Sequence, residues 1–76
     1  MKNVVIYTSP TCTFCHKAID YFEENNVAYT QKDISKDPEA RKFLMQNNIM
    51  GVPAIYVDDE LVMGFDKSKL NTLLGL

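Results

Sequence analysis

The chain has 76 residues, 46% of them apolar and 24% charged, which is enough for one small core and little more. Its net charge of −2 gives no attraction for nucleic acid or an anionic membrane, and no apolar run approaches the length of a membrane span. A single domain over residues 1–76 is expected. The stretch from Met1 to Tyr7 holds only a short apolar run, Val4 to Tyr7, too little for a secretory leader core, so a cytoplasmic location is expected.

Asn3 to Thr8 is rich in β-branched and aromatic residues without alternation, as in a strand covered on both faces. Ser9-Pro10-Thr11 breaks it. From Cys12 to about Asn25 the period turns helical, with Phe14, Cys15, Ala18, Ile19 and Phe22 on one face. Lys17, Asp20, Glu23 and Glu24 occupy the solvent side. Asn25-Asn26 ends this helix, and Ala28 to Ile34 reads as a second strand. Asp37-Pro38-Glu39 has the chemistry of a helix start: a capping carboxylate, a proline in the first turn, and an acid after it. Ala40, Phe43 and Leu44 form that helix's apolar stripe, closed by Asn47-Asn48. Ala54 to Val57 and Leu61 to Met63 read as a hairpin joined at Asp58-Asp59-Glu60. Asp66 caps a last helix with Leu70, Leu73 and Leu74 on its buried side and Gly75 as its stop. The order β-α-β-α-β-β-α calls for a parallel pair from the first crossover and an antiparallel pair from the hairpin. An α/β fold with a mixed four-stranded sheet and helices on both faces is expected.

Two cysteines three residues apart close too short a loop to staple a small domain, so their purpose is expected to be chemical. Cys12-Thr13-Phe14-Cys15 stands where the first strand hands over to the first helix. Free amides and the positive end of the helix dipole favour a thiolate at Cys12, and the thiolate is the attacking species. Cys15, one turn on, lies on the apolar stripe, sheltered and close enough to resolve a mixed disulfide. Other readings of the pair are two buried cysteines without a role, a zinc site, and, with His16, the c-type haem attachment pattern. Zinc lacks ligands, since only His16 could join the thiols. Haem attachment suits an exported helical protein, not a motif behind a strand. No metal site is expected.

Two further segments draw attention. Gly51-Val52-Pro53 precedes the third strand, and a cis Val52–Pro53 bond is expected there, turning the Val52 backbone toward an incoming extended peptide. Gly64-Phe65-Asp66 reads either as a plain turn with a capping aspartate or as an anchor for a carboxylate and an ammonium.

The runs Val5-Ile6-Tyr7-Thr8, Thr11-Cys12, Cys15-His16, Gly51-Val52-Pro53 and Gly64-Phe65-Asp66, in register along the whole chain, resemble the glutaredoxins. The likeness is greatest to short bacterial glutaredoxin-like proteins and to the redoxins that reduce ribonucleotide reductase. The resemblance implies the thioredoxin fold in its minimal form and a glutathione-dependent thiol–disulfide oxidoreductase that acts on protein disulfides or glutathione mixed disulfides. It implies glutathione as co-substrate, no required metal or organic cofactor, and a monomer. By resemblance Cys12 is the thiol that becomes glutathionylated and Cys15 the resolving thiol. Val52 would offer its backbone to the glutathione cysteinyl group and Asp66 would meet the γ-glutamyl amine. Thr11, Phe14, Pro53, Gly64 and Phe65 would line the same site. The sequence also departs from the family pattern. Ser9 stands where a lysine is usual, Met45 and Ile49 stand where basic or amide groups face the glycyl carboxylate, and Met63 replaces the first glycine of a pair. Lys17 and Lys42 are the cations that could make up the loss. Two alternatives follow from the same resemblance: a redoxin recharged by a thioredoxin-reductase-like flavoprotein, and a glutathione-dependent iron–sulfur carrier.

Overall fold

The computed structural model describes residues 2–76; Met1, part of the N-terminal stretch read above, lies outside them. The first strand, β1 (Val4–Thr8), lies inside a four-stranded sheet. It pairs in parallel with β2 (Thr30–Asp33) on one side and antiparallel with β3 (Ala54–Val57) on the other. β3 continues into an antiparallel hairpin with β4 (Glu60–Met63), giving the order β2-β1-β3-β4. The crossover between β1 and β2 is α1 (Thr13–Glu24), α2 (Pro38–Gln46) links β2 to β3, and α3 (Lys67–Leu74) follows the hairpin.

The period of two along each strand sorts the core into two layers. Val4 and Ile6, with Ile55, Val57 and Val62, meet Ala18, Tyr21 and Phe22 of α1 and Leu70 of α3. Val5 and Tyr7, with Ala54, Tyr56 and Leu61, meet Ala40 and Leu44 of α2 and Ile49 after it. A strand covered on both faces has no solvent side, so β1 reads as a continuous apolar run. Helices therefore cover both faces of a mixed sheet, as the element order implied.

The ends of the elements follow local chemistry. Asp37 caps α2 by accepting the N–H groups of Glu39 and Ala40, each at 3.1 Å. Gly75 ends α3 in the left-handed region at φ 72°, where a side chain would be strained. Asp58, in the hairpin turn, also takes a left-handed φ of 54°. Its carboxylate and amide bond the backbone of Asn3 at 2.8 and 2.7 Å, tying the hairpin tip to the start of β1.

Some expected boundaries and faces shift. β2 spans only Thr30–Asp33, because its ladder is limited to the four partners that Val5 to Thr8 offer. β4 begins at Glu60, whose partner Val57 leaves a turn of only Asp58 and Asp59. Phe14, expected on the buried face of α1, is 57% exposed. It lies on the same side of α1 as Tyr21 but two turns nearer the N-terminus, beyond the packing that Phe65 and α3 give Tyr21. Phe43 is also outside the sealed core; its ring stacks on Tyr7 with centroids 5.5 Å apart. Of the α3 leucines only Leu70 is fully buried, with Leu73 and Leu74 packed at the margin.

Truncating the two phenylalanines should separate these environments. Phe22 is fully buried, so Phe22→Ala is expected to cost about 3–5 kcal/mol, a large share of what so short a chain can hold. Phe43→Ala loses its ring contacts with Tyr7 and Tyr56 at the margin of the core and should cost about 1–2 kcal/mol. Urea unfolding monitored by circular dichroism measures both.

Candidate active site

Three segments distant in sequence meet at one end of the sheet. The register Tyr7↔Ala54 and Ala54↔Met63 puts the C-terminal end of β1 beside the start of β3 and the end of β4. The Cys12 loop, Val52-Pro53 and Gly64-Phe65-Asp66 all leave from that edge.

Cys12 is the N-cap of α1, with extended φ −91° and ψ 105°. Its amide donates to the Ser9 carbonyl at 3.3 Å, closing the turn that follows β1. Its Sγ accepts the Cys15 N–H at 3.1 Å, filling the place that a serine or aspartate oxygen takes at other helix starts. Cys15 belongs to the first turn and is 1% exposed, while Cys12 is half-buried. The Cα atoms are 5.2 Å apart and the two sulfurs are joined in a disulfide. The environments of the two cysteines are therefore unequal: one sulfur at a helix end, the other among core side chains.

The Val52–Pro53 peptide is cis, as expected from the sequence. Pro53 is buried, Val52 half-buried and Gly51 exposed. The Pro53 carbonyl accepts the Gly64 N–H at 2.8 Å, locking the loop before β3 to the turn after β4. Gly64 itself has φ 72°, a value that disfavours any side chain. Phe65 is half-buried and packs edge-on against Tyr21 at 5.7 Å. Tyr21 in turn donates its hydroxyl to Asn71 Oδ1 of α3, and burial pushes its phenol above the ordinary range. Asp66, exposed, caps α3 by accepting the Lys69 N–H at 3.1 Å.

Thr11 and Phe14 are exposed on the loop and the first turn, and the Lys17 ammonium lies 5.1 Å above the Phe14 ring. Lys17 is thus engaged beside the motif. A groove of about 340 Å³ opens next to Ser9 and Val52, walled by Met45, Met50 and Gly51 and reached by Arg41. Arg41 escaped the reading of the sequence, which looked to Lys17 and Lys42. The signal was its spacing: four residues before Met45, it shares that residue's side of α2. Among the described residues no group of three or more His, Cys, Asp or Glu could hold a metal ion, and no helix is long and apolar enough to cross a membrane.

The glutaredoxin family model matches residues 4–62. The chain belongs to the glutaredoxin family. It is 28% identical over 72 residues to an uncharacterized glutaredoxin-like 8.6 kDa protein in a rubredoxin operon of Clostridium pasteurianum, covering 93% of this chain and 96% of that one. Over a 35-residue segment, 46% of the chain, it is 49% identical to the global transcriptional regulator Spx 1 of Bacillus cereus, of which it spans only 27%. Among solved structures, a mutant of a thioredoxin-like protein superimposes with a TM-score of 0.90 at 36% identity, covering 99% of this chain and 97% of its own. This glutaredoxin-family chain is accordingly a thioredoxin-fold redox protein with a Cys12–Cys15 pair, of a thiol–disulfide oxidoreductase family.

Asp66 has a structural duty that should be measured apart from any ligand. Asp66→Ala removes the α3 cap and is expected to lower stability by about 1 kcal/mol, whereas Asp66→Asn keeps an accepting oxygen and most of that stability. Urea midpoints of the two variants check the assignment.

Proposed function

We propose that the protein reduces disulfides with Cys12 as nucleophile and Cys15 as resolving thiol, and that glutathione recharges it. The observation that carries this reading is the asymmetry of the pair: Cys12 Sγ at the N-cap within 3.1 Å of a backbone amide, Cys15 sealed in the core. A thiolate at Cys12 gains that amide and the positive end of the α1 dipole, which lowers its pKa. Cys15 in apolar surroundings stays protonated until Cys12 is occupied.

The electron accounting is simple. The Cys12 thiolate attacks one sulfur of the substrate disulfide; that S–S bond breaks and one substrate thiolate leaves, taking a proton from water. Cys15 then loses its proton and attacks the Cys12 sulfur, releasing the second substrate thiol. Two electrons have passed to the substrate, and Cys12–Cys15 is the disulfide of the structure. One glutathione thiolate reopens it at Cys12, and a second removes the first as glutathione disulfide.

For glutathione, the Val52 backbone, which shares a groove with Ser9 at the sheet edge the Cys12 loop leaves from, is available to pair with the cysteinyl unit. Asp66 and the first amides of α3 suit the γ-glutamyl ammonium and carboxylate. Arg41, in the groove that reaches Ser9 and Val52, supplies the cation for the glycyl carboxylate that position 9 lacks. Phe14 and Thr11 form the exposed rim. The dithiol state that this cycle needs suits a reducing compartment such as the cytoplasm. No resident cofactor takes part.

Role assignment is open to direct test. In the reduced protein, iodoacetamide should modify Cys12 first across a pH series, with an apparent pKa below the unperturbed value of about 8.5. Cys15→Ser should accumulate a mixed disulfide with substrate, and Cys12→Ser should lose all turnover. Faster modification of Cys15, or equal residual turnover in the two variants, would reverse the assignment.

The donor is tested by stopped-flow reduction of the oxidised protein. Arg41→Gln should raise the half-saturating glutathione concentration by about tenfold or more, the effect of losing one charge-assisted contact of roughly 1.5–3 kcal/mol. Ser9→Lys should lower it. If glutathione gives no reduction while a thioredoxin-reductase-type flavoprotein with NADPH does, the flavoprotein is the donor and Arg41 has another task.

A further inference from the structure

The groove beside Val52 does not end at Arg41. A second groove of about 430 Å³ shares Ile34, Arg41 and Met45 with it, so the two adjoin and together make a channel along α2 that begins beside Ser9 and Val52. Pro38, Arg41, Lys42, Met45 and Gln46 form its helical wall. Their spacing of three, one, three and one is a single stripe along α2 from its first residue to its last. Eight steps of 1.5 Å make that wall about 12 Å long, the reach of three to four extended residues.

The charges are segregated across the same helix. The charged side chains that line the channel, Arg41 and Lys42, are both cationic, in a chain whose net charge is −2. The acids at the start of α2, Asp37 and Glu39, line a different hollow, with Tyr7 and Phe43. Apolar surface is concentrated at the Ser9 and Val52 end of the channel, where Met45 is 68% and Met50 95% exposed. Unbranched thioethers adapt to varied apolar partners, and three rotatable bonds let them follow different side chains.

We propose that this channel is the docking track for a protein substrate's disulfide-bearing segment: an extended peptide that places an apolar side chain against Met45 and Met50 and acidic side chains beside Arg41 and Lys42. The segment leaves the reacting cysteine past Val52 and carries its acids within about four residues of it. The redox outcome of that docking rests on the dithiol reading above, but the docking itself does not, so binding and turnover are measured separately.

The binding probe is a fluorescein-labelled peptide with serine for the reacting cysteine, followed by leucine and two glutamates; its control has glutamines for the glutamates. Anisotropy titrations with the oxidised full chain at low ionic strength should show the acidic peptide bound about tenfold more tightly. The gap should close near 1 M salt, where the Debye length falls to about 3 Å. Lys42→Glu should abolish the preference while leaving the rate of Cys12 modification by iodoacetamide in the reduced protein unchanged, and Met45→Asp should weaken both peptides. Equal binding of the two peptides, or an acidic preference untouched by Lys42→Glu, overturns the track. A concentration-dependent dimer in sedimentation that Lys42→Glu dissolves also overturns it, in favour of a second copy as occupant. Tight acidic binding with no reduction of hydroxyethyl disulfide supports the track and defeats only the dithiol reading.

Discussion

The antiparallel pairing of β1 with β3, from Val4↔Val57 to Tyr7↔Ala54, sets the position of everything at the reactive end. A ladder of this kind leaves no freedom of register, because a slip by one residue would turn Ile6 and Ile55 out of one core layer and Tyr7 and Ala54 out of the other. With both faces of both strands buried, such a slip would expose most of the apolar surface that folding hides. The last rung therefore holds Pro53 beside the loop that carries Cys12. The Gly64 amide, bonded to the Pro53 carbonyl, extends the same constraint to the start of α3. The site consists of loops, but their anchor points are strand ends.

From that constraint follows the inequality of two cysteines that look alike in the sequence. The chain leaves β1, turns through the Cys12–Ser9 bond and enters α1 with Cys12 as its cap. One turn of helix then carries position 15 from the solvent edge onto the face that holds Ala18 and Phe22. The helix start provides the amide and the dipole at one sulfur, and the core removes water from the other. On the proposed roles, a lower pKa at Cys12 and a protonated Cys15 would be two consequences of one handover.

Much of this was legible in the residues. Aspartates at 37 and 66, the proline at 38 and the glycine at 75 mark helix ends by local chemistry, and local chemistry does not depend on tertiary context. The apolar run of β1 and the cysteine spacing likewise point to a buried strand feeding a reactive turn. What could not be read were quantities set by neighbours. β2 is shortened by the length of its single partner, and Phe14 is exposed because it stands two turns short of the Phe65 and α3 packing that shelters Tyr21. Arg41 lines the groove through the rotation of α2 about its own axis, which the contacts of Ala40 and Leu44 with the sheet decide.

Arg41 has a consequence for the order of events. On the proposed readings it meets the glycyl carboxylate of glutathione in one half of the cycle and an acidic side chain of the substrate in the other. A single guanidinium fork binds one carboxylate bidentately at a time, so the two partners compete for it as well as for the Val52 backbone. The substrate must then leave the channel before glutathione can enter. Cys15 enforces that sequence, because its attack on Cys12 severs the only covalent hold on the substrate and leaves a docked segment retained by surface charges alone. Such contacts are individually weak in water, of the order of 1 kcal/mol or less, and a segment held by a few of them dissociates readily. A long-lived complex would instead obstruct the donor. Loose, adaptable contacts from Met45, Met50 and two exposed cations are what a carrier that alternates between partners requires.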